Sequence, residues 1–510
     1  MSRNSSSGRG GVRSRSGRHS HSSTGRSPRH GGGQRPASQA QASPLVGKVL
    51  ELAVDSLALG GAGVARMPEE VEGMAGMAVF VQGALPGSRV KARLTAVHRR
   101  HAEAVVVEVL HLSPEAVEPF CGHFGLCGGC SLQHLAPKAQ LKWKERQIVE
   151  ALARIGGVKP ERVLPAIAAP ALTAFRNKME FAFQARGGAL ILGLYEGGNP
   201  GRVFDLSACP IFPDKGSELV AAVREMCRQA GLPAYDRGTR TGLLRHLVLR
   251  HSVHQDAWLA QVITAPATPE QARAISALGE ALMRRHPELK GFVHAERARA
   301  DGLAQGERTL LTLGESALIE ALEGVRYSVS ADAFFQTCTR GAEALYSGLR
   351  EMLDPGPGEV LHDLYCGGGG IALFLAGSAG QDQVKVLGLE MNPAAIADAE
   401  ANARLNKVAN CRFLRADLSG EEPMPAQLPQ GFAKADAAIV DPPREGLDAG
   451  LARWLTENPV PRLGYVSCNP ATLARDAGIL KGAYRLAAVR AVDLFPHTAH
   501  AECLALFERA

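Results

Sequence analysis

The 510-residue sequence lacks several features that would assign it to other classes of protein. No uninterrupted apolar run of 18 residues occurs, so we expect no membrane-spanning helix. An apolar segment of the kind that directs secretion is missing from the N-terminus, which favours a cytoplasmic chain. No internal repeat is evident. Ten cysteines in a chain of this length do not indicate a disulfide scaffold, and their spacing points to metal or catalytic chemistry instead.

Residues 1–44 lack Lys and acidic residues and are poor in bulky hydrophobic side chains. They carry eight Arg, whereas the whole chain has a formal net charge of +6, so the remainder carries −2. This Arg-, Ser- and Gly-rich composition predicts a disordered tail. Disordered Arg-rich arms bind polyanions such as RNA, and the alternative is a solvated tail without a specific partner.

Turn residues and hydrophobic periodicity divide the remaining chain into three parts. Four or five short alternating strands between Gly and Pro turns occupy 45–112 and predict a small β-barrel of the OB type. Such barrels bind oligonucleotides along one face, and the alternative is a domain used only for packing. Residues 113–326 hold a cysteine-rich segment and an α+β region, and 327–510 alternate strands with helices.

The second part contains a predicted amphipathic helix from Lys138 to Ile155. Its apolar stripe consists of Leu141, Ile148, Leu152 and Ile155. Strand-like runs with several basic positions follow, together with helices near 214–230 and 268–286. This mixture predicts a central α+β domain.

The third part predicts a Rossmann-like α/β fold. Repeating strand–helix units indicate a parallel sheet with helices on both faces. The last two strands are joined by a short connection without a helix, so the final strand should run antiparallel. Ligands of such sheets bind at the carboxyl ends of the strands. The predicted strands are 359–364, 384–390, 410–415, 435–440, 462–467, 484–493 and 501–508.

A glycine-rich loop follows the first of these strands. Gly367–Gly370 have no Cβ atoms, so a ligand can approach the backbone closely. Glu390, 20 residues after Gly370, ends the second strand and is placed to bind ribose hydroxyls. Taken alone, the loop fits either S-adenosylmethionine or a dinucleotide, because Gly367, Gly369 and Ala372 match the pattern G-x-G-x-x-A.

Two further acidic positions favour S-adenosylmethionine. Asp441-Pro442-Pro443 follows the fourth strand, and methyltransferases place D-P-P loops where the methyl donor meets the acceptor. Asp417, after the third strand, is suitably placed for the adenine side. The sequence therefore predicts a methyltransferase site at this edge of the sheet.

Cys468 and Glu502 form the candidate catalytic pair. Cys468 follows the fifth strand, in Ser467-Cys468-Asn469-Pro470. Uracil C5 is a poor nucleophile, so a thiolate must first add to C6, after which C5 takes the methyl group and a base removes the C5 proton. Glu502 offers that base, with His497 and His500 as supporting donors. The alternatives are a buried inert cysteine and an ordinary surface glutamate.

Five motifs together resemble the RNA uracil-C5 methyltransferases over residues 45–510. They are D-L-Y-C-G-G-G-G (363–370), F-F-Q (334–336), V-D-P-P-R (440–444), S-C-N-P-A-T-L-A-R-D (467–476) and F-P-H-T-x-H-x-E (495–502). The resemblance implies that Cys468 is the nucleophile and Glu502 the base. Many relatives have Asn where Gly370 stands, which leaves only a backbone contact there. The cofactor positions implied are Gln336, Tyr365, Gly370, Glu390, Asp417 and Asp441.

The front half resembles the members that act on large-subunit rRNA. The barrel looks like a TRAM domain, and the tRNA members lack both this module and the cysteine site. By that likeness we expect 23S rRNA as the partner and a monomeric enzyme. The implied ligands of a [4Fe–4S] cluster are Cys121, Cys127, Cys130 and Cys209. Zinc held by four thiolates is the chemical alternative.

Two other functions compete with this interpretation. Cytosine-C5 RNA methyltransferases also use a thiolate at C6, but they usually carry a Pro-Cys dipeptide at the D-P-P position and a second cysteine. Asp441-Pro442-Pro443-Arg444 contains no cysteine. An RNA-binding assembly protein with a vestigial methyltransferase fold would suit the tail and the barrel. The intact nucleophile, base and glycine loop weigh against it.

Overall fold

The structure is a computed structural model that describes residues 43–378, 384–420 and 422–510. The tail predicted for 1–44 therefore lies outside the described residues, apart from its last two. Residues Leu45–Ala510 form one compact unit. Among the described helices, none combines the length and the apolar character needed to cross a bilayer.

The first strands close into a five-stranded barrel in the order β1-β2-β3-β5-β4, with β3 and β5 parallel. Alternate residues such as Leu52, Val54, Val79, Val81 and Val90 point inward and form its core, because successive side chains of a strand face opposite sides. This confirms the predicted barrel. Its strands are β1 (Val49–Leu57), β2 (Gly63–Arg66), β3 (Ala78–Gln82), β4 (Arg89–Val97) and β5 (His101–His111).

Helix α1 (Pro137–Ala151) continues into a π-helical turn (Leu152–Gly156), which is capped by Gly157, whose φ of 60° suits glycine. The predicted stripe is only partly correct, since Ile148 and Leu152 are buried but Ile155 is 53% exposed. Much of the buried face is polar instead. A short strand, β6 (Arg162–Val163), follows.

A seven-stranded sheet forms the centre of the chain, in the order β13-β12-β11-β10-β7-β8-β9. Helices α2 and α3 pack against it around an apolar core that includes Phe181, Phe212 and Trp258. The elements are β7 (Lys178–Arg186), β8 (Ala189–Glu196), β9 (Asn199–Asp205), α2 (Asp214–Gln229), β10 (Leu244–Ser252), β11 (Ala257–Thr264), α3 (Pro269–Arg285), β12 (Leu289–Glu296) and β13 (Arg308–Gly314).

A hairpin and a helix then lead into the third part. The hairpin pairs β14 (Ala317–Leu322) with β15 (Val325–Ser330), and α4 spans Thr339–Leu353. Apolar residues of α4 belong to the core on one face of the sheet that follows. Gln336 lies in the connection before α4.

The last sheet has eight strands in the order β18-β17-β16-β19-β20-β22-β21-β6. Strands β16 to β20 are parallel, and β22 inserts antiparallel between β20 and β21, which confirms the predicted topology. The elements are β16 (Glu359–Leu364), α5 (Gly370–Ser378), β17 (Val384–Glu390), α6 (Pro393–Leu405), β18 (Cys411–Arg415), β19 (Ala437–Val440), α7 (Ala449–Glu457), β20 (Arg462–Ser467), α8 (Pro470–Leu480), β21 (Tyr484–Val492) and β22 (Glu502–Arg509).

Separate apolar cores cover the two faces of this sheet. Because β16 to β20 are parallel, the loops that follow them all emerge at one edge. That edge carries the glycine loop after β16, Glu390 at the end of β17, Asp441 after β19 and Cys468 after β20. Strand β22, running the other way, begins at the same edge with Glu502.

Candidate active site

The loop between β16 and α5 turns sharply. Tyr365, Gly367 and Gly369 have φ values of 71°, 52° and 81°, in the left-handed region that glycine adopts without strain. Glu390 braces the loop, since its Oε2 accepts a hydrogen bond from the Gly367 amide at 3.2 Å and its Oε1 accepts one from the Asn392 amide at 2.7 Å. The predicted juxtaposition of Glu390 with the glycine loop is therefore present.

Asp363, at the end of β16, leaves an open acceptor beneath this loop. Its Oδ2 accepts a hydrogen bond from the Ala372 amide at 3.0 Å, whereas its buried Oδ1 has no partner among the described residues. Burial, and then the nearby Asp441 carboxylate, raise the pKa of Asp363 to about 7. A ligand that donates hydrogen bonds or carries positive charge would complete this site. S-adenosylmethionine has both an amino group and a sulfonium, so the residues fit it.

Tyr346 on α4 lies among the predicted cofactor positions, although no sequence motif points to it. The Tyr346 and Gln336 side chains share a hydrogen bond. Burial is the main cause that raises the pKa of Tyr346, and the Asp441 and Asp363 carboxylates add to the shift. A Cβ atom on Gly370 would stand 2.9 Å from the Tyr346 hydroxyl, which is too close. The tyrosine therefore occupies the space into which a larger side chain at 370 would extend.

Tyr365 and Asp417 occupy the outer part of the same edge. Tyr365 is half-buried and packs against the apolar core on one face of the sheet. Asp417, after β18, is exposed, and hydrogen bonds from the Ser419 hydroxyl at 2.6 Å and the Ser419 amide at 3.0 Å lower its pKa. A fixed, ionised carboxylate at this position can accept hydrogen bonds from a bound ligand.

Cys468 is held between the D-P-P-R loop and helix α8. The neighbouring Asn469 caps α8 by accepting from the Ala471 amide, and its Nδ2 donates to the Arg444 carbonyl at 3.0 Å. Burial raises the pKa of the Cys468 thiol to about 11, helped by the carboxylates of Glu502 and Asp441, while Arg444 opposes the shift. The thiol is half-buried and so keeps an open side.

Glu502 opens β22 and is 7% exposed. Burial raises its pKa to about 8, the Asp441 carboxylate adds to the shift, and Lys144 and Arg444 oppose it. The electrostatic influence of Glu502 on the Cys468 pKa shows that the structure brings nucleophile and base candidates together. Glu502 is thus not an ordinary surface residue.

The two histidines near Glu502 have different surroundings. The His497 ring bonds with the Leu172 carbonyl at 2.9 Å and lies 3.4 Å from Gln140 Nε2, so it supports the turn rather than the carboxylate. Its φ of 67° makes it one of the few non-glycine residues in the left-handed region. Burial and three nearby cations lower the pKa of His500, which favours its neutral form.

The four predicted metal-ligand cysteines lie at a second place in the fold. Three precede α1, the fourth follows β9, and all are free thiols that line a cavity of about 890 Å³. Burial, together with the neighbouring sulfurs, raises the pKa of Cys209 to about 12 and also raises those of Cys127 and Cys130. Arg176, Lys178 and Phe334 line the same cavity. Burial alone favours the protonated thiols. A bound metal centre would favour the deprotonated thiolates instead.

A glycine loop, an acidic residue ending the second strand and a D-P-P loop on a Rossmann-like sheet define a class I methyltransferase. The family model described as tRNA (Uracil-5-)-methyltransferase matches residues 303–510, and the TRAM domain model matches residues 45–107. An uncharacterized RNA methyltransferase of Nitratidesulfovibrio vulgaris is 37% identical over 471 residues, which cover 90% of this chain and 96% of that protein. A second uncharacterized RNA methyltransferase, from Halalkalibacterium halodurans, is 34% identical over an alignment that covers 92% of this chain and 99% of that protein.

A solved structure shares the fold. The Pyrococcus abyssi tRNA (uracil-54, C5)-methyltransferase in complex with S-adenosyl-L-homocysteine superposes with a TM-score of 0.68 at 24% identity, over 90% of this chain and all of that one. The chain belongs to the tRNA (Uracil-5-)-methyltransferase family. It is an S-adenosylmethionine-dependent RNA uracil-C5 methyltransferase with an N-terminal TRAM domain.

Proposed function

We propose that this enzyme methylates C5 of a specific uridine in 23S rRNA and forms 5-methyluridine through a covalent bond between Cys468 and uracil C6. The observation that carries the proposal is the shared site of Cys468 and Glu502, where the Glu502 carboxylate helps to raise the pKa of the Cys468 thiol, at the edge where the glycine loop lies. A thiol beside a buried carboxylate is the pair that this chemistry needs.

Each group has one task in the proposed reaction. The Cys468 thiolate attacks C6, and the electron pair of the C5–C6 double bond moves towards C5 and its enolate oxygen. Bound S-adenosylmethionine supplies the methyl group that C5 takes up. The Glu502 carboxylate then removes the C5 proton, the double bond re-forms, and the C6–S bond breaks to release Cys468 as a thiolate.

The predicted cofactor positions keep their roles in this proposal. Glu390 binds the ribose hydroxyls, Asp417 the adenine side, and Asp441 lies where donor and acceptor meet. Gly370 contributes its backbone, whose carbonyl already accepts a hydrogen bond from the Tyr327 hydroxyl at 3.0 Å. The set also includes Gln336 and Tyr365, and the open Oδ1 of Asp363 supports it.

We further propose a [4Fe–4S] cluster at Cys121, Cys127, Cys130 and Cys209. The four thiols line one cavity, and their sulfurs raise one another's pKa, which supports a shared centre held by four thiolates. Zinc held by the same four thiolates is the chemical alternative, which metal analysis distinguishes.

The substrate is proposed to be large-subunit rRNA, bound by a cytoplasmic monomer that takes part in rRNA processing. The TRAM barrel supports RNA binding, as do the basic and aromatic residues in the cavity beside the cysteines. C6 is covered inside a base stack, so the target uridine must be turned out to meet Cys468. The proposed domains are 1–44, 45–112, 113–326 and 327–510.

The substrate is tested by mapping 5-methyluridine in rRNA from cells with and without this protein. The proposal predicts one 23S rRNA uridine that loses its methyl group when the protein is absent and regains it when the gene is restored. Loss of 5-methyluridine from tRNA alone, or a change in 5-methylcytidine, would contradict the proposal.

A further inference from the structure

Helix α1 buries three polar side chains on one face, at positions 140, 144 and 147. Gln140, Lys144 and Gln147 are 0%, 2% and 8% exposed. They lie four and three residues apart and therefore face the same way. Burying a polar group costs free energy unless the group finds a hydrogen-bond partner. The three side chains of this face find their partners in other parts of the chain.

Lys144 makes its contacts with the segment that leads into Glu502. Its Nζ donates to Asp493 Oδ1 at 2.6 Å and to the Phe495 carbonyl at 3.0 Å, and the Asp493 side chain is only 3% exposed. Asp493 immediately follows β21, and Glu502 begins β22. The ammonium group therefore holds the turn 493–501 at its first residues.

Gln140 holds the same turn at its middle. Its Oε1 accepts from the His497 amide at 2.7 Å, while its Nε2 donates to the carbonyls of Leu132 and Leu135. The amides of Ser131 and Leu132 donate to the His497 carbonyl at 3.0 and 2.9 Å. These contacts explain how His497 is kept at a positive φ.

Groups from four elements face the Glu502 carboxylate. Asp441 and Arg444 come from the D-P-P-R loop, Cys468 from the end of β20, and Tyr346 from α4. Lys144, from α1, is a buried cation in this set, and it favours the ionised form of Glu502. The backbone contacts and the charge of Lys144 thus act on the same residue.

We propose that Lys144 is a positioning residue for proton abstraction: through Asp493 and the Phe495 carbonyl it fixes the turn that carries Glu502, and its charge keeps that carboxylate ready to accept the C5 proton. This rests on the proposed role of Glu502 as base. Lys144, which is distant in sequence from Glu502, would act after methyl transfer and before release of Cys468.

The test compares the variant Lys144→Met/Asp493→Asn, which removes both charges of the buried pair, with Lys144→Arg. Lys142→Met, an exposed position on the same helix, is the matched control. Each protein is mixed with unmodified 23S rRNA tritiated at uracil C5. Tritium release, methyl incorporation and SDS-stable protein–RNA adduct are followed as functions of pH, and S-adenosylhomocysteine binding is measured by calorimetry.

In the double variant we expect tritium release at neutral pH to slow about tenfold, because an opposite charge near a carboxylate shifts its pKa by about one unit or more. The acidic limb of the release profile should move to higher pH, methylated adduct should accumulate, and S-adenosylhomocysteine affinity should stay unchanged. Lys144→Arg should restore most of the release rate, and Lys142→Met should behave like wild type.

Wild-type release with an unshifted pH profile in the double variant would overturn the inference. So would loss of S-adenosylhomocysteine binding or of adduct formation, because either would indicate a merely structural role. Failure of the proposed function gives a different result: wild-type protein would then neither form an adduct nor release tritium from 23S rRNA.

Discussion

At the scale of single residues, the proposed reaction uses two groups that both have to lose a proton before they can act. Burial lifts the pKa of Cys468 to about 11 and that of Glu502 to about 8. Arg444 opposes both shifts, and Lys144 opposes the second. Burial and the Asp441 carboxylate lower the amount of each reactive form near neutral pH, and the cationic neighbours offset part of that effect.

These shifts predict a distinct pH dependence. Because the pKa of Glu502 is raised, the carboxyl is protonated below about pH 8 and cannot accept the C5 proton. In the methylated Cys468 adduct, where the thiol no longer titrates, tritium release from uracil C5 should fall about tenfold per pH unit as the pH drops below that value. Stopped assays between about pH 6 and about pH 9 check this, and a rate that stays constant down to pH 6 would contradict it.

At the scale of helices and strands, periodicity and turn residues were sufficient to predict the sheet that bears the site. Residues at the carboxyl ends of β17, β19 and β20 could be placed together because parallel strands end at one edge. Lys144, Gln140 and Tyr346 could not be found, since a polar residue buried by a distant segment leaves no periodic signal. A stripe defined on α1 by apolar residues alone includes the exposed Ile155 and omits the buried polar face.

The polar face of α1 predicts how the barrel is attached. Gln147 Nε2 donates to the carbonyls of Leu57 and Ala58, both at 2.9 Å, at the end of β1. Gln147→Ala should lower the free energy of unfolding by about 1–3 kcal/mol, because the buried Leu57 carbonyl loses this donor and the part-buried Ala58 carbonyl is left with the Gly61 amide. Thermal unfolding measures the change. The exposed position Lys142→Ala is the matched control and should change stability little; an equal loss in both variants would contradict the prediction.

At the scale of the whole molecule, the cysteine segment, α1 and the turn 493–501 that leads into Glu502 are physically connected. Ser131 and Leu132, next to Cys130, hydrogen-bond to the turn that carries Glu502, and Gln140 bonds to both. Gly61 of the barrel also lies against this region, where an added Cβ would stand 3.1 Å from Ala499. The TRAM barrel, the cysteine site and the methyltransferase edge therefore meet around one turn.

The proposed cluster predicts the metal content of the protein. Protein purified without oxygen should contain about four iron and four sulfide per chain and absorb visible light. Cys209→Ser should lower both contents, whereas Cys227→Ser, at a buried cysteine outside the cavity, should leave them unchanged. Elemental analysis and sulfide titration provide the measurement. One zinc per chain without iron would contradict the cluster.

The most direct test of the central claim uses 23S rRNA that contains 5-fluorouridine, because fluorine at C5 cannot be removed as a proton and the adduct cannot break down. Wild-type enzyme with S-adenosylmethionine should form an SDS-stable complex, and peptide mass spectrometry should locate the methylated, fluorinated nucleotide on Cys468. Cys468→Ala should form none. A complex that persists in Cys468→Ala, or a wild-type enzyme that methylates normal RNA yet never becomes attached to the fluorinated one, would contradict covalent catalysis by this cysteine.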